Sequence, residues 1–288
     1  MDSLVSTEWL AGELGKPDLV VLDITYYLPP EGKTGREEFR KAHIPGARFL
    51  DVDEAADPDS DLPHMVPTPA RFAKLMGSLG ITNDTRVVFY DGKGIFSAPR
   101  GWWLMHLFGH DKAAVLDGGL PKWQREGRPV ESGDPAPVTP LAEPASFTAD
   151  LRTDRLAGIG DMKRIVRQSA VTGGGDTLIL DARSRGRFEG TAPEPRPGLP
   201  GGHMPGAASL PATELVGPDG TFLPPEALRE LFVEAGADGT RPVVTTCGTG
   251  ITACVLAFGL HQTGLVDAAV YDGSWTEWAS RPETPKVR

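Results

Sequence analysis

The chain has 288 residues, 40% of them hydrophobic and 24% charged, with a formal net charge of -10. That length suits two cores of ordinary size, the composition is globular, and the acidic balance argues against nucleic acid and anionic membranes as partners. No run reaches the ~18 apolar residues of a membrane span. The start Met1-Asp2-Ser3-Leu4-Val5 lacks the basic and apolar regions of a secretory signal, and the two cysteines, Cys247 and Cys254, make neither a disulfide scaffold nor a closed zinc site. A cytoplasmic protein with no metal or organic cofactor is expected.

In chain order, a β-rich run over 19–22 ends in Asp23 and is followed by the turn His43-Ile44-Pro45-Gly46-Ala47. Helical patterns over 69–79 and 98–108 flank a strand at 86–90, and a further strand at 113–116 leads into Asp117-Gly118-Gly119-Leu120-Pro121-Lys122-Trp123. Pro129, Pro135, Pro137, Pro140 and Pro144 then mark an extended connector. After it the plan returns about 155 to 160 residues later, the signature of a duplication. Leu178-Ile179-Leu180-Asp181 repeats the first strand, His203-Met204-Pro205-Gly206-Ala207 the turn, Val243-Val244-Thr245-Thr246 the strand at 86–90, and Asp272-Gly273-Ser274-Trp275-Thr276-Glu277-Trp278 the last segment. Helices are expected near 225–235, opened by Pro225, and near 252–262, capped by Thr252, with a strand near 268–271. Strands alternating with helices predict an α/β fold, two tandem domains each with a central parallel sheet flanked by helices. The boundaries expected are 1–130, a linker over 131–147, and 148–288.

Cys247 follows a strand and precedes a helix in Cys247-Gly248-Thr249-Gly250-Ile251-Thr252. Parallel sheets present ligands at the carboxyl ends of their strands. Gly248 and Gly250 allow a tight turn whose amide N–H groups point inward as an anion nest, and the helix behind adds its positive end. Both favour a thiolate, a nucleophile, and both would hold a persulfide anion. A cysteine phosphatase would need an arginine six residues on, where Ala253 stands, so that chemistry is excluded. The first copy has Asp91 in place of Cys247 and cannot carry sulfur.

The duplicated plan, the paired H-[IM]-P-G-A turns and the loop from Cys247 to Thr252 resemble the rhodanese superfamily, and within it the C-G-[ST]-G-[VI]-T signature of 3-mercaptopyruvate sulfurtransferases. The resemblance implies two rhodanese-like domains with only the C-terminal one catalytic. Thiosulfate sulfurtransferases resemble C-R-K-G-[VI]-T instead, with two cations where this chain has the neutral Gly248 and Thr249. It implies further that Arg187 and Arg196, in the G-R-F…P-E-P-R segment, bind the donor's carboxylate and keto oxygen, beside the loop residues Gly248, Gly250, Ile251 and Thr252. Asp53 and His64 match an acid and a histidine that reach the loop hydroxyl, here Thr249, in a relay for the leaving group's proton. The expected reaction moves sulfur from 3-mercaptopyruvate through a Cys247 persulfide to a thiol such as thioredoxin, or to cyanide. The alternatives are a thiosulfate:cyanide sulfurtransferase and a non-enzymatic persulfide carrier. Arg183 and Arg185 are expected to serve as surface or ion-paired groups, His43 and His203 as turn-fixing groups, and the tryptophans and Cys254 as packing.

Overall fold

The computed structural model describes residues 1–134, 145–172 and 175–288. The expected linker over 131–147 therefore lies mostly, at 135–144, outside the described residues. The described chain forms two compact units. One comprises Met1–Asp59, Val66–Arg152 and Pro218–Phe222; the other comprises Ser60–Met65, Thr153–Gly217 and Leu223–Arg288.

The first unit runs β1 (Leu4–Val5), α1 (Thr7–Glu13), β2 (Leu19–Asp23), α2 (Gly35–Lys41), β3 (Arg48–Phe49), α3 (Pro69–Ser78), β4 (Arg86–Tyr90), α4 (Ala98–Leu107), β5 (Ala113–Leu116) and α5 (Gly119–Arg125). Its sheet has the order β1-β5-β4-β2-β3, all pairs parallel. The second unit runs β6 (Leu156–Ala157), α6 (Ile159–Thr172), β7 (Leu178–Asp181), α7 (Arg185–Glu189), β8 (Ala207–Ser209), α8 (Pro225–Glu234), β9 (Val243–Thr246), α9 (Ala253–Thr263), β10 (Ala269–Tyr271) and α10 (Ser274–Ser280). Its order, β6-β10-β9-β7-β8, again parallel throughout, copies the first position for position. The fold is α/β, as the alternation of elements predicts. Among the described residues no helix is long and apolar enough to cross a membrane.

Local chemistry explains the elements. Ser6, Thr34 and Thr68 each accept an N–H from the first turn of α1, α2 and α3, and Pro69 opens α3 where no N–H is needed. Thr252 does not behave as expected: its backbone is already helical (φ -74°, ψ -15°) and its side chain caps nothing. Val87 to Tyr90 and Val243 to Thr246 are buried along their whole length, because helices cover both faces of each sheet. One face of the first sheet packs Val21, Val88 and Leu116 against Phe39, Phe49 and Trp123; the matching face of the second packs Ile179, Val244 and Tyr271 against Met162, Trp275 and Trp278. The two turn histidines act alike. His43 Nδ1 donates to the Phe39 carbonyl at 2.8 Å and its ring stacks on Phe39 at 4.0 Å; His203 Nδ1 donates to the Phe188 carbonyl at 2.9 Å and stacks on Phe188 at 3.8 Å.

The duplicated strand-end aspartates differ in their partners. Asp181 holds Arg183, two residues on, but the corresponding residue of the first unit is Thr25, whose N–H and hydroxyl both donate to Asp23 Oδ1. With burial and no cation beside it, the Asp23 carboxyl is pushed up to about 7, its hydrogen bonds from Thr25 and Tyr90 opposing the shift. The folded value lies above the unfolded one, so the stabilisation from a neutral Asp23 is complete below pH ~4 and is lost as pH rises towards 7. Asp23→Asn, which keeps an acceptor for Thr25, is expected to flatten this dependence and raise the stability at pH 8 by a few kcal/mol at most, on the order of the linkage energy. Urea unfolding of both proteins at pH 5 and pH 8 measures it. Equal pH dependence in the two would show that Asp23 is already ionised in the fold.

Candidate active site

Cys247 stands at the carboxyl end of β9, the central strand of the second sheet, and is 2% exposed. The loop behind it runs over Gly248 to Thr252 into α9, and Gly250 takes φ +81°, a conformation open to glycine at little cost. Helix α10 grips the loop's first two residues. Trp275 N–H donates to the Cys247 carbonyl at 3.0 Å, Thr276 N–H and hydroxyl to the Gly248 carbonyl at 3.0 and 2.7 Å, and Cys247 N–H to Ser274 Oγ at 3.2 Å.

The first unit shows what this kind of loop holds. There Asp91 is fully buried, and its Oδ2 accepts the N–H groups of Phe96, Ser97 and Ala98 at 2.8 to 2.9 Å while Oδ1 accepts that of Lys93 at 2.9 Å. Four amides thus close on one carboxylate, an anion nest filled by its own side chain. In the second unit the counterparts of Lys93, Phe96 and Ser97 are Thr249, Thr252 and Ala253, whose N–H groups find no acceptor among the described residues. The counterpart of Ala98 is Cys254, whose N–H instead turns to the Ile251 carbonyl at 3.1 Å. Ile251 is buried and Thr252 half-buried. Cys254 Sγ, fully buried in α9, donates to the Gly250 carbonyl at 3.2 Å, a packing role.

Of the residues expected around this loop, His64 belongs to the same unit and meets it. His64 Nδ1 lies 3.0 Å from Thr249 Oγ1, both groups are buried, and the histidine backbone sits at φ +62°. A left-handed histidine costs free energy that its surroundings must offset, a condition common at functional sites. Asp53 lies in the first unit, exposed, with its N–H bound to Asp51 Oδ1 at 3.0 Å.

Arg187 projects from the short helix α7 to the loop: a Cβ added to Gly248 would lie 3.0 Å from its Nη2. Its guanidinium is held by Glu194 Oε2, at 2.5 Å from Nη2 and 3.1 Å from Nε. Glu194 in turn bonds through Oε1 to Arg183 Nη1 at 2.8 Å, and Arg183 donates to both oxygens of Asp181, to the Gly202 carbonyl, and lies over the Trp275 ring. Asp181, Arg183 and Glu194 are almost wholly buried, so each charge is matched inside the fold. Arg183, expected at the surface or in an ion pair, is thus an internal strut, while Arg185 pairs with Glu214 at an exposed site. Glu194 was not singled out from the sequence. The only signal was an acid between two prolines in an arginine-rich segment. Arg196, two residues on and half-buried, makes no hydrogen bond or ion pair among the described residues, which leaves its guanidinium available. Among those residues no three His, Cys, Asp or Glu side chains gather where a metal could be held.

The rhodanese-like domain matches residues 6–126 and again 168–281. The chain belongs to the rhodanese family. It is 40% identical to the human 3-mercaptopyruvate sulfurtransferase, over 98% of this chain and 94% of that protein, and 41% identical to the Cricetulus griseus thiosulfate sulfurtransferase over the same shares. Its structure matches that of Escherichia coli SseA, described as showing the rhodanese fold of 3-mercaptopyruvate sulfotransferases. The TM-score is 0.82 at 32% identity, with 96% of this chain and 99% of that one covered. The two sheets of this family member are therefore two rhodanese domains, and the two protein relatives carry the names of different sulfur donors.

Proposed function

We propose that this rhodanese is a sulfurtransferase that takes sulfur from 3-mercaptopyruvate, stores it as a persulfide on Cys247 and passes it to a thiol. The observation that carries the choice of donor is the approach of Arg187 to Gly248. Where the thiosulfate loop has two cations, this loop is neutral, and any side chain at position 248 would press on a guanidinium already in place. Arg187 beside the loop suits a carboxylate or keto oxygen, with Arg196 assigned to share that work by the family resemblance, rather than a pair of loop charges for a dianion.

In the proposed reaction the Cys247 thiolate attacks the sulfur of 3-mercaptopyruvate. A sulfur–sulfur bond forms, the carbon–sulfur bond breaks, and its electron pair stays with the carbon as the enolate of pyruvate, stabilised by Arg187 and Arg196. Thr249 and His64, 3.0 Å apart, supply the proton that converts the enolate to pyruvate, with Asp53 as the outer member of the relay. The persulfide anion is held by the open N–H groups of the loop, and an acceptor thiol such as that of reduced thioredoxin, or cyanide in its place, removes the outer sulfur and restores the thiolate. The family match supports the enzyme class, and the two free cysteines suit a cytoplasmic, reducing compartment.

Steady-state transfer with 3-mercaptopyruvate and with thiosulfate, at equal concentration and with one thiol acceptor, tests the donor. We expect kcat/KM to favour mercaptopyruvate by at least about 10-fold, and Arg187→Ala to lower that value by roughly 100-fold, the scale set by losing a bidentate contact. Preference for thiosulfate would overturn the donor and leave the nucleophile. Stoichiometric loading without turnover on either donor would mark a persulfide carrier instead.

A further inference from the structure

The duplication supplies an internal control for the residues that hold the nucleophile. In the first unit, among the described residues, α5 meets the loop through one bond, Leu120 N–H to the Asp91 carbonyl at 3.1 Å, and the second unit repeats it as Trp275 N–H to the Cys247 carbonyl. The second unit then adds three bonds that the first cannot make. Gly119 corresponds to Ser274 and has no hydroxyl; Pro121 corresponds to Thr276 and has neither hydroxyl nor N–H. Ser274 Oγ accepts the Cys247 N–H and donates to the Tyr271 carbonyl at 2.8 Å, and Thr276 donates twice to the Gly248 carbonyl.

The serine is also placed against its own preference. Gly119 takes φ +53°, where glycine meets little steric resistance, and Ser274 takes φ +48° at the same place, fully buried. A fold that needed only the turn would keep glycine there, as the first unit does. We propose that Ser274 and Thr276 are positioning residues for Cys247: they fix the peptide planes on either side of the cysteine so that its side chain, and the sulfur it carries, stays directed at the loop N–H groups. The inference rests on Cys247 being the sulfur carrier and adds what orients it.

Ser274→Gly separates orientation from stability, because it removes the hydroxyl and relieves the left-handed strain together. The expected result is a urea midpoint at or above that of the parent protein, with kcat for 3-mercaptopyruvate reduced about 10-fold or more and KM within about twofold, as for a group acting after binding. Alkylation of Cys247 by iodoacetamide at pH 7, read by mass on the peptide carrying it, should slow or quicken several-fold in the same variant. Thr276→Val, which keeps the N–H bond to Gly248, should lie between the two proteins. Parental kcat and alkylation rate in Ser274→Gly would overturn the proposal. The alkylation measurement needs no donor, so it still decides the matter if the parent protein turns over neither 3-mercaptopyruvate nor thiosulfate, a result that would instead overturn the sulfur-transfer reading.

Discussion

Cys247→Ser is expected to abolish turnover with either donor, a loss of at least about 10³-fold, since a serine hydroxyl cannot accept sulfane sulfur and keep it as a leaving group for the next thiol. The fold should survive. Serine is close to cysteine in size, and the backbone of residue 247 stays tied to Ser274 and Trp275 whichever side chain it carries. Cys254→Ser is the informative control. Cys254 is fully buried in α9 and its thiol donates to the Gly250 carbonyl, so the variant should lose some stability and retain transfer. Mass spectrometry of the parent protein after exposure to donor alone should find one added sulfur on the peptide carrying Cys247 and none on that peptide in the serine variant. Substantial turnover by Cys247→Ser would remove the persulfide from the mechanism and leave the two arginines and the His64–Thr249 pair to explain another chemistry.

The long buried strands were legible because a parallel sheet covered on both faces reads as continuous apolar runs ending in Asp23, Tyr90, Asp181 and Thr246, and α3, α4, α8 and α9 were legible with them, whereas the 14-residue α6 was not read. β1, β3, β6 and β8 were not, since two or three residues carry no period, and the helices α2, α7 and α10 are too short for one. The nucleophile could be read from local grammar, strand then Cys-Gly-Thr-Gly then helix. The site around it could not. His64 and Thr249 are 185 residues apart and meet only through the folded chain, so nothing but family resemblance pointed to their contact. Arg183 reads as a surface or ion-paired charge; the pairing is found with Asp181 and Glu194, but its burial over Trp275 appears only in the fold. Ser274 looks like an ordinary residue after Asp272-Gly273, because the left-handed backbone that distinguishes it is a property of conformation alone.

The second large effect is predicted in the unit without the cysteine. Asp91→Ala should destabilise that unit by about 3 kcal/mol or more, because it strips the acceptor from several buried N–H groups at once, and each unsatisfied donor carries a penalty of its own. Phe96, Ser97 and Ala98 open α4, so the loss falls on a helix start whose amides have no other partner among the described residues, where the positive end of the helix also favours a negative charge. Asp91→Asn keeps one oxygen for those three amides but turns an NH₂ group towards the Lys93 N–H, so its cost should fall between those of the parent and the alanine variant. Thermal unfolding followed by circular dichroism should therefore show an early transition in Asp91→Ala, a smaller advance in Asp91→Asn, and a later transition less affected. Unchanged melting in both variants would mean that water serves these amides as well as the carboxylate does. The predicted order bears directly on Cys247. If the amides of the first unit lose this much without their anion, the Thr249, Thr252 and Ala253 N–H groups, which find no acceptor among the described residues, offer the same kind of nest to the persulfide proposed on Cys247.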